Sequence, residues 1–144
     1  MFDTLEKVHE IQVEPDATAR RIREYARSNP DVVHANGYEG REGTVEGACY
    51  CLAESYYHSQ GGQDSGLEIH CLSWADVRED GAGTHWFLSD PETGAWIDLG
   101  IEKPWHGTWI PYSEGRTRAF MTGYEPSKRT KRVLEALDLL EVKA

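Results

Sequence analysis

Positive charge is scarce in this sequence. Its 144 residues include 15 lysines and arginines against 25 aspartates and glutamates, which gives a formal net charge of −10 at pH 7. A protein of that charge is repelled by nucleic-acid phosphates and by anionic lipid headgroups. We therefore expect neither a nucleic acid nor a membrane surface as its main partner.

Long apolar stretches are missing too, and cysteine occurs in an odd number. No segment is apolar enough to span a membrane, and the amino-terminal residues Met-Phe-Asp-Thr-Leu-Glu do not form a signal-peptide pattern. Three cysteines cannot all pair with one another within one chain. Free thiols are typical of a reducing compartment, so we expect a cytoplasmic protein.

The sequence has no internal repeats and no low-complexity tracts. Its length predicts a single domain over residues 1–144, long enough to form a core without disulfides. Helical and alternating hydrophobic patterns both occur along the chain. They predict an α+β fold in which a cysteine-bearing helix packs on a small antiparallel sheet, with further helices towards the two ends.

Three segments carry helix signals. Asp16 is a suitable N-cap for a helix that runs to about Ser28. A second helix is predicted over residues 49–58. Ser127 caps a third helix, and the apolar face of that helix consists of Val133, Leu134, Leu137 and Leu140.

Alternating apolar positions predict three strands, over residues 67–74, 84–89 and 95–100. The last two are joined by Asp-Pro-Glu-Thr-Gly at residues 90–94, which is typical of a hairpin turn. Residues 4–13 fit no single period, so they are either a weak strand or irregular.

Two further segments carry no clear period. Residues 31–46 contain several glycines and are predicted to form a loop, as one wall of a cleft. Residues 101–124 are rich in proline and aromatic residues and are predicted to pack in an extended form on the sheet. Phe120 and Met121 within them are expected in a short strand or a buried turn.

Cys49 is placed where the second helix begins, after a glycine-containing stretch with Gly43 and Gly47. The free N–H groups and the positive dipole end of a helix favour the thiolate form of a cysteine there. Cys51 follows after a rotation of about 200°, so it points elsewhere and is expected to serve packing. Cys71 lies mid-strand and is expected to be buried.

His85 and Asp98 lie on the two strands of the predicted hairpin. If the hairpin closes about residues 91–92, His85 pairs with residue 98 or 99, and directly opposed side chains lie about 5 Å apart. An imidazole beside a carboxylate is the base-and-orienter arrangement of nucleophilic catalysis, although structural pairs of this kind are common. Phe87 and Trp96 share the face of this pair.

The ordered motifs GACYCLAES, THWFLS, WIDLG and IPYSEGRTRAFMTGYEPSKR resemble the papain-like superfamily in its transglutaminase-like and NlpC/P60-like forms. The likeness is greatest to small uncharacterised bacterial and phage members, and it covers about residues 43–132. It implies a papain-like core. Gly100 occupies a position where the pattern has threonine or a similar residue.

The resemblance implies that Cys49 is the nucleophile, His85 the base and Asp98 the group that orients the base. The backbone N–H of Cys49 would be one oxyanion donor and Asn36 the side-chain donor. Substrate contacts are expected from Asn36 and from three aromatic residues, Trp86, Phe87 and Trp96. No cofactor is implied.

These features predict a cysteine hydrolase or acyltransferase acting through a thioester on a peptide or small amide. The alternative is a catalytically inactive binding module of the same fold, possibly phage-encoded and directed at a host protein. Zinc is disfavoured because Cys49-x-Cys51 and the adjacent His70-Cys71 lack the paired knuckles of zinc sites. We therefore expect no metal.

Overall fold

Along the described part of the chain, a short strand is followed by three helices, four strands and a last helix. The computed structural model describes residues 10–33, 45, 48–77, 79, 83–120 and 125–139. Helices in these residues are α1 (Ala17–Ser28), α2 (Pro30–Val33), α3 (Cys49–Ser59) and α4 (Lys128–Ala136). The strands are β1 (Ile11–Gln12), β2 (Glu68–Ser73), β3 (Thr84–Asp90), β4 (Ala95–Ile97) and β5 (Arg116–Thr117). The α+β class is therefore confirmed.

A five-stranded sheet connects the strands in the order β1-β4-β3-β2-β5. β2, β3, β4 and β5 pair antiparallel, whereas β1 runs parallel to β4. The prediction of an antiparallel sheet was wrong at this edge. The backbone N–H groups of Trp96 and Asp98 donate to the carbonyls of Glu10 and Gln12, so the lead-in segment completes the edge of the sheet.

The predicted caps of the first and last helices are confirmed. Asp16 Oδ1 accepts from the backbone N–H of Ala19 at 2.9 Å, and Ser127 accepts from Thr130 in the same way. Val133 and Leu134 are buried as expected; Leu140 lies outside the described residues. Local side-chain chemistry sets both helix starts.

The predicted hairpin forms, but its register differs from the prediction. Leu88 pairs with Ile97, and the turn spans four residues because Asp90 pairs with Ala95. The backbone N–H of Gly94 donates to Asp90 O at 2.7 Å and closes the turn. Continued by one residue, this register sets Asp98 opposite Phe87 rather than opposite His85.

The sheet separates two apolar clusters. Helix α3 packs on one face, and α1 and α4 pack against α3. This face carries Leu88, Ile97 and Leu99, as predicted, and also Trp86. Phe87, Leu72, Ile110 and Tyr112 form a smaller cluster on the other face. His85 and Asp98 lie on this second face, between the sheet and the segment after β4.

The segment after β4 covers the second face of the sheet, as predicted for residues 101–124. It consists of short 3-10 turns at Pro104–Gly107 and Tyr112–Glu114 rather than an extended chain. Phe120 is buried, and Met121 lies outside the described residues. None of the helices in the described ranges has the length and apolar character needed to cross a membrane.

Candidate active site

The site is built around a buried contact between His85 and Asp98. His85 Nε2 lies 2.6 Å from Asp98 Oδ2, and Asp98 has no exposed surface. The two residues are diagonal neighbours across the hairpin, because the observed register, when continued, sets His85 opposite residue 100, two residues beyond Asp98. A shift of two keeps both side chains on the same face of the sheet, so the predicted pairing of the side chains is confirmed.

Three donors hold the Asp98 carboxylate. Besides His85, the Tyr112 hydroxyl donates to Oδ2 at 2.8 Å, and the backbone N–H of Gly100 donates to Oδ1 at 3.0 Å. The bond to Gly100 turns the chain two residues after Asp98, which is why β4 stops at Ile97 and not at residue 100. A carboxylate held in this way has a fixed orientation towards the imidazole.

Tyr112 was not identified from the sequence as part of the site. Burial first, and then the charge of Asp98, raises the pKa of its phenol well above the ordinary value, so it stays a donor. Gly107 makes room for this contact, since a Cβ there would overlap the Tyr112 hydroxyl. The Pro-Tyr pair at residues 111–112 was the only signal in the sequence.

Cys49 is the first residue of α3, as predicted, and its side chain is partly exposed. Its sulfur lies 3.6 Å from the carbonyl oxygen of Thr84, the residue before His85. The thiol also lies near enough to His85 to influence the pKa of the ring. With Nε2 bound to Asp98, Nδ1 is the ring nitrogen left for the sulfur.

The N-terminus of α3 was expected to abut the face that carries His85, and Cys49 at that N-terminus does lie beside Thr84 and the His85 ring. Further along the helix, Leu52, Ala53 and Tyr56 pack in the cluster on the opposite face. Only Cys49 at the helix start reaches the end of the sheet where β3 begins and β4 ends. Cys51 is buried, and burial raises its pKa to about 11, which fits its predicted packing role.

The electrostatics of His85 reflect its two neighbours. Burial alone lowers the pKa of His85, but the adjacent Asp98 carboxylate, with a further contribution from Cys49, raises it from 6.5 to about 10. The imidazole is therefore held as a cation at neutral pH. A cation next to a sulfur at a helix start favours the thiolate.

The predicted substrate-contact residues lie in different places. Phe87 and Trp96 pack beside the His85–Asp98 pair; Phe87 is fully buried, and its ring centroid is 5.8 Å from that of His85. Trp86 instead projects from the other face of β3 and is buried against Phe120. Asn36, the predicted side-chain oxyanion donor, lies outside the described residues.

Trp74 and Trp109 lie close to the site and were not assigned to it from the sequence. The Trp74 ring centroid is 5.0 Å from that of His85, and Trp109 stacks on Trp74 at 5.5 Å. Both tryptophans are far from His85 along the chain, so no local sequence pattern indicated that they would lie near it. Trp74 ends the strand predicted over residues 67–74, but in the structure it lies in a 3-10 turn directly after β2.

No group of three or more metal-ligating side chains with suitable geometry occurs within the described ranges. His85 Nε2 and Asp98 Oδ2 already bind each other, so they are not arranged around a shared ion. No protein-family model, curated protein or solved structure matches this chain. The papain-like resemblance therefore stays a hypothesis, and the geometry of the site is the basis for assigning a function.

Proposed function

We propose that this chain is a cysteine-dependent acyl-transfer enzyme with a papain-like core, of the amidase, peptidase or transglutaminase-like type. Cys49 is the nucleophile, His85 the acid–base group and Asp98 the orienting carboxylate. One observation carries the proposal: a fully buried carboxylate binds His85 Nε2 at 2.6 Å while a thiol at a helix start lies beside the same ring. A His–Asp pair that only stabilised the fold would not require a thiol beside the imidazole.

In the resting state the proton of the Cys49 thiol resides on His85. The raised pKa of His85 supports an ion pair in which Nδ1–H faces the thiolate and Nε2–H faces Asp98. The Asp98 carboxylate lies 2.6 Å from Nε2 and fixes the ring.

The first half-reaction is acylation. The thiolate of Cys49 attacks the substrate carbonyl carbon, and a C–S bond forms as the carbonyl π electrons move to oxygen. When the tetrahedral intermediate collapses, the bond to the leaving nitrogen or oxygen breaks. His85 donates its Nδ1 proton to the leaving group and becomes neutral.

The second half-reaction releases the acyl group. Neutral His85 takes a proton from a water or an amine, whose oxygen or nitrogen attacks the thioester carbonyl. The C–S bond then breaks and regenerates the thiolate next to protonated His85. The backbone N–H of Cys49, in the first turn of α3, is suitably placed to stabilise the oxyanion in both steps.

The test uses an electrophilic activity-based probe, such as a peptidyl vinyl sulfone, followed by mass spectrometry of the modified site. Labelling is expected at Cys49 and is expected to disappear in Cys49→Ala. Cys51→Ala is the control, because it removes a buried thiol and is expected to lower stability while labelling persists. Labelling at Cys51 alone, or unchanged labelling in Cys49→Ala, would favour the inactive binding module.

A further inference from the structure

A stack of aromatic rings extends from the site to the protein surface. The Trp74 ring is tilted by 38° against His85, with ring centroids 5.0 Å apart. Trp109 lies on the Trp74 ring at 5.5 Å with 28° between the planes. The outer indole, Trp109, is 54% exposed although a tryptophan side chain normally gains free energy from burial.

The backbone holds both indoles in place. Trp74 follows directly after β2, and its backbone N–H donates to Gly83 O at 3.0 Å. Trp109 precedes Ile110, which is buried and donates its backbone N–H to Gly107 O at 3.0 Å. The exposed indole is therefore presented by an anchored segment.

Trp105 shows that exposure alone does not distinguish Trp109. Trp105 lies on the same segment and is 64% exposed, but its aromatic neighbour is the adjacent His106, in an edge contact at 5.8 Å. Trp109 instead continues a stack that ends at the proposed acid–base group. Two exposed tryptophans thus differ in their relation to the site, and Trp105 is a natural control.

We propose that the Trp74–Trp109 stack is a substrate subsite; this proposal rests on the proposed acyl-transfer function. Its ligand is an aromatic group that the substrate carries close to the carbonyl attacked by Cys49. An indole with one face on Trp74 and an exposed remainder offers an apolar, quadrupolar surface on which a planar ring stacks. Two indoles would separate His85 from a ring on the outer face of Trp109, so the ring that lies nearest the reacting atoms is one that packs on the exposed edges of both indoles.

The test compares two alkylating reagents that differ only in an aromatic group. Rates of Cys49 modification by iodoacetamide and by N-(2-phenylethyl)iodoacetamide are measured at pH 7, each divided by the rate of the same reagent with glutathione. A bound aromatic ring is expected to raise the normalised rate of the phenylethyl reagent over iodoacetamide by about 2- to 12-fold, the range of one aromatic contact. Mass spectrometry of the Cys49 peptide confirms the site of modification.

The variants identify the source of that preference. Trp109→Ala is expected to reduce the rate ratio to about one, Trp109→Phe to retain part of it, and Trp105→Ala to leave it unchanged. A ratio that Trp109→Ala does not lower, or that Trp105→Ala lowers equally, overturns the subsite. An absent preference at a Cys49 that reacts rapidly with iodoacetamide also overturns the subsite, whereas slow reaction with iodoacetamide counts against the acyl-transfer function. The two failures are therefore distinguishable.

Discussion

Gly100 lies directly against Cys49. A Cβ atom at Gly100 would come within 2.7 Å of the Cys49 Cβ and 3.0 Å of its Cα, closer than non-bonded carbon atoms approach. The papain-like pattern has threonine at this position. Here the close contact between the start of α3 and the chain after β4 requires a residue without a Cβ atom. The missing side chain lets the thiol approach the His85–Asp98 pair.

We predict that Gly100→Ala displaces the start of α3 and separates Cys49 from His85. Its alkylation by iodoacetamide at pH 6 is expected to slow strongly, and the free energy of unfolding to fall by about 1–3 kcal/mol from overpacking. Gly115→Ala is the matched control, since its Cβ would meet Phe87 Cζ at 2.9 Å, away from Cys49. If both variants are equally destabilised and equally reactive, Gly100 has no special relation to the thiol.

Arg23 positions the chain that follows Asp98. This buried side chain of α1 donates to the carbonyls of Leu99, Ile101 and Glu102 at 3.2, 2.6 and 3.0 Å, and it pairs with Glu14. Glu102 in turn accepts from the backbone N–H of Val45, before α3, at 2.8 Å. Arg23 and Glu102 together therefore connect the segment that carries Gly100 to Val45, which precedes the helix of Cys49.

For Arg23→Lys we predict slower alkylation of Cys49, because an ammonium cannot reach three carbonyls and a carboxylate together. Arg23→Met is expected to lower the free energy of unfolding by about 3 kcal/mol or more. Arg20→Lys is the control on the same helix, as Arg20 also pairs with Glu14, at 3.7 Å, but is 62% exposed. Chemical denaturation and alkylation rates measure the two effects, and equal behaviour of both lysine variants would rule out positioning by Arg23.

Removing the Tyr112 hydroxyl is predicted to loosen Asp98. Tyr112→Phe deletes a 2.8 Å hydrogen bond to a buried carboxylate, and such bonds contribute about 1.5–3 kcal/mol to stability. Tyr56→Phe deletes a similar 2.7 Å bond to Asp16, remote from the triad. Both variants should lose stability in urea denaturation, but only Tyr112→Phe should slow Cys49 alkylation. Slowing by both, or by neither, would contradict the proposed role.

The stability that His85 contributes is predicted to depend on pH. Because folding raises the pKa of His85, its stabilising effect is complete below 6.5 and is lost as the pH rises towards 10. The difference in unfolding free energy between wild type and His85→Gln should shrink over that range. His70 is the control with the opposite sign, since burial lowers its pKa, so its protonation as the pH falls below 6.5 favours unfolding. A His85 difference that is constant with pH would refute the raised pKa.

Much of the fold follows from short-range chemistry that can be read along the chain. The caps Asp16 and Ser127 were recognised because a side chain bonds a backbone group three residues away. The common face of His85 and Asp98 was recognised because strand alternation survives a register error of two residues. The register itself was missed because the turn has four residues between Asp90 and Ala95.

The remaining features depend on contacts between distant segments. β1 pairs with β4 across more than eighty residues, and neither Ile11 nor Gln12 carries a periodic signal for it. The hydroxyl of Tyr112 and the guanidinium of Arg23 act on the Asp98 region only after the chain has folded. Apart from the Pro-Tyr pair at residues 111–112, no local pattern distinguishes them from other tyrosines and arginines in the sequence.

Alkylation of Cys49 by iodoacetamide at pH 6, with site mapping by mass spectrometry, tests the triad most directly. An ordinary thiol with a pKa of about 8.5 is less than about 1% thiolate at that pH, so rapid modification requires activation by a neighbouring cation. Wild-type Cys49 is predicted to react many times faster than glutathione, and His85→Gln and Asp98→Asn are predicted to remove most of that advantage. Cys49 that reacts no faster than glutathione, or that is unaffected by His85→Gln, would contradict the catalytic assignment.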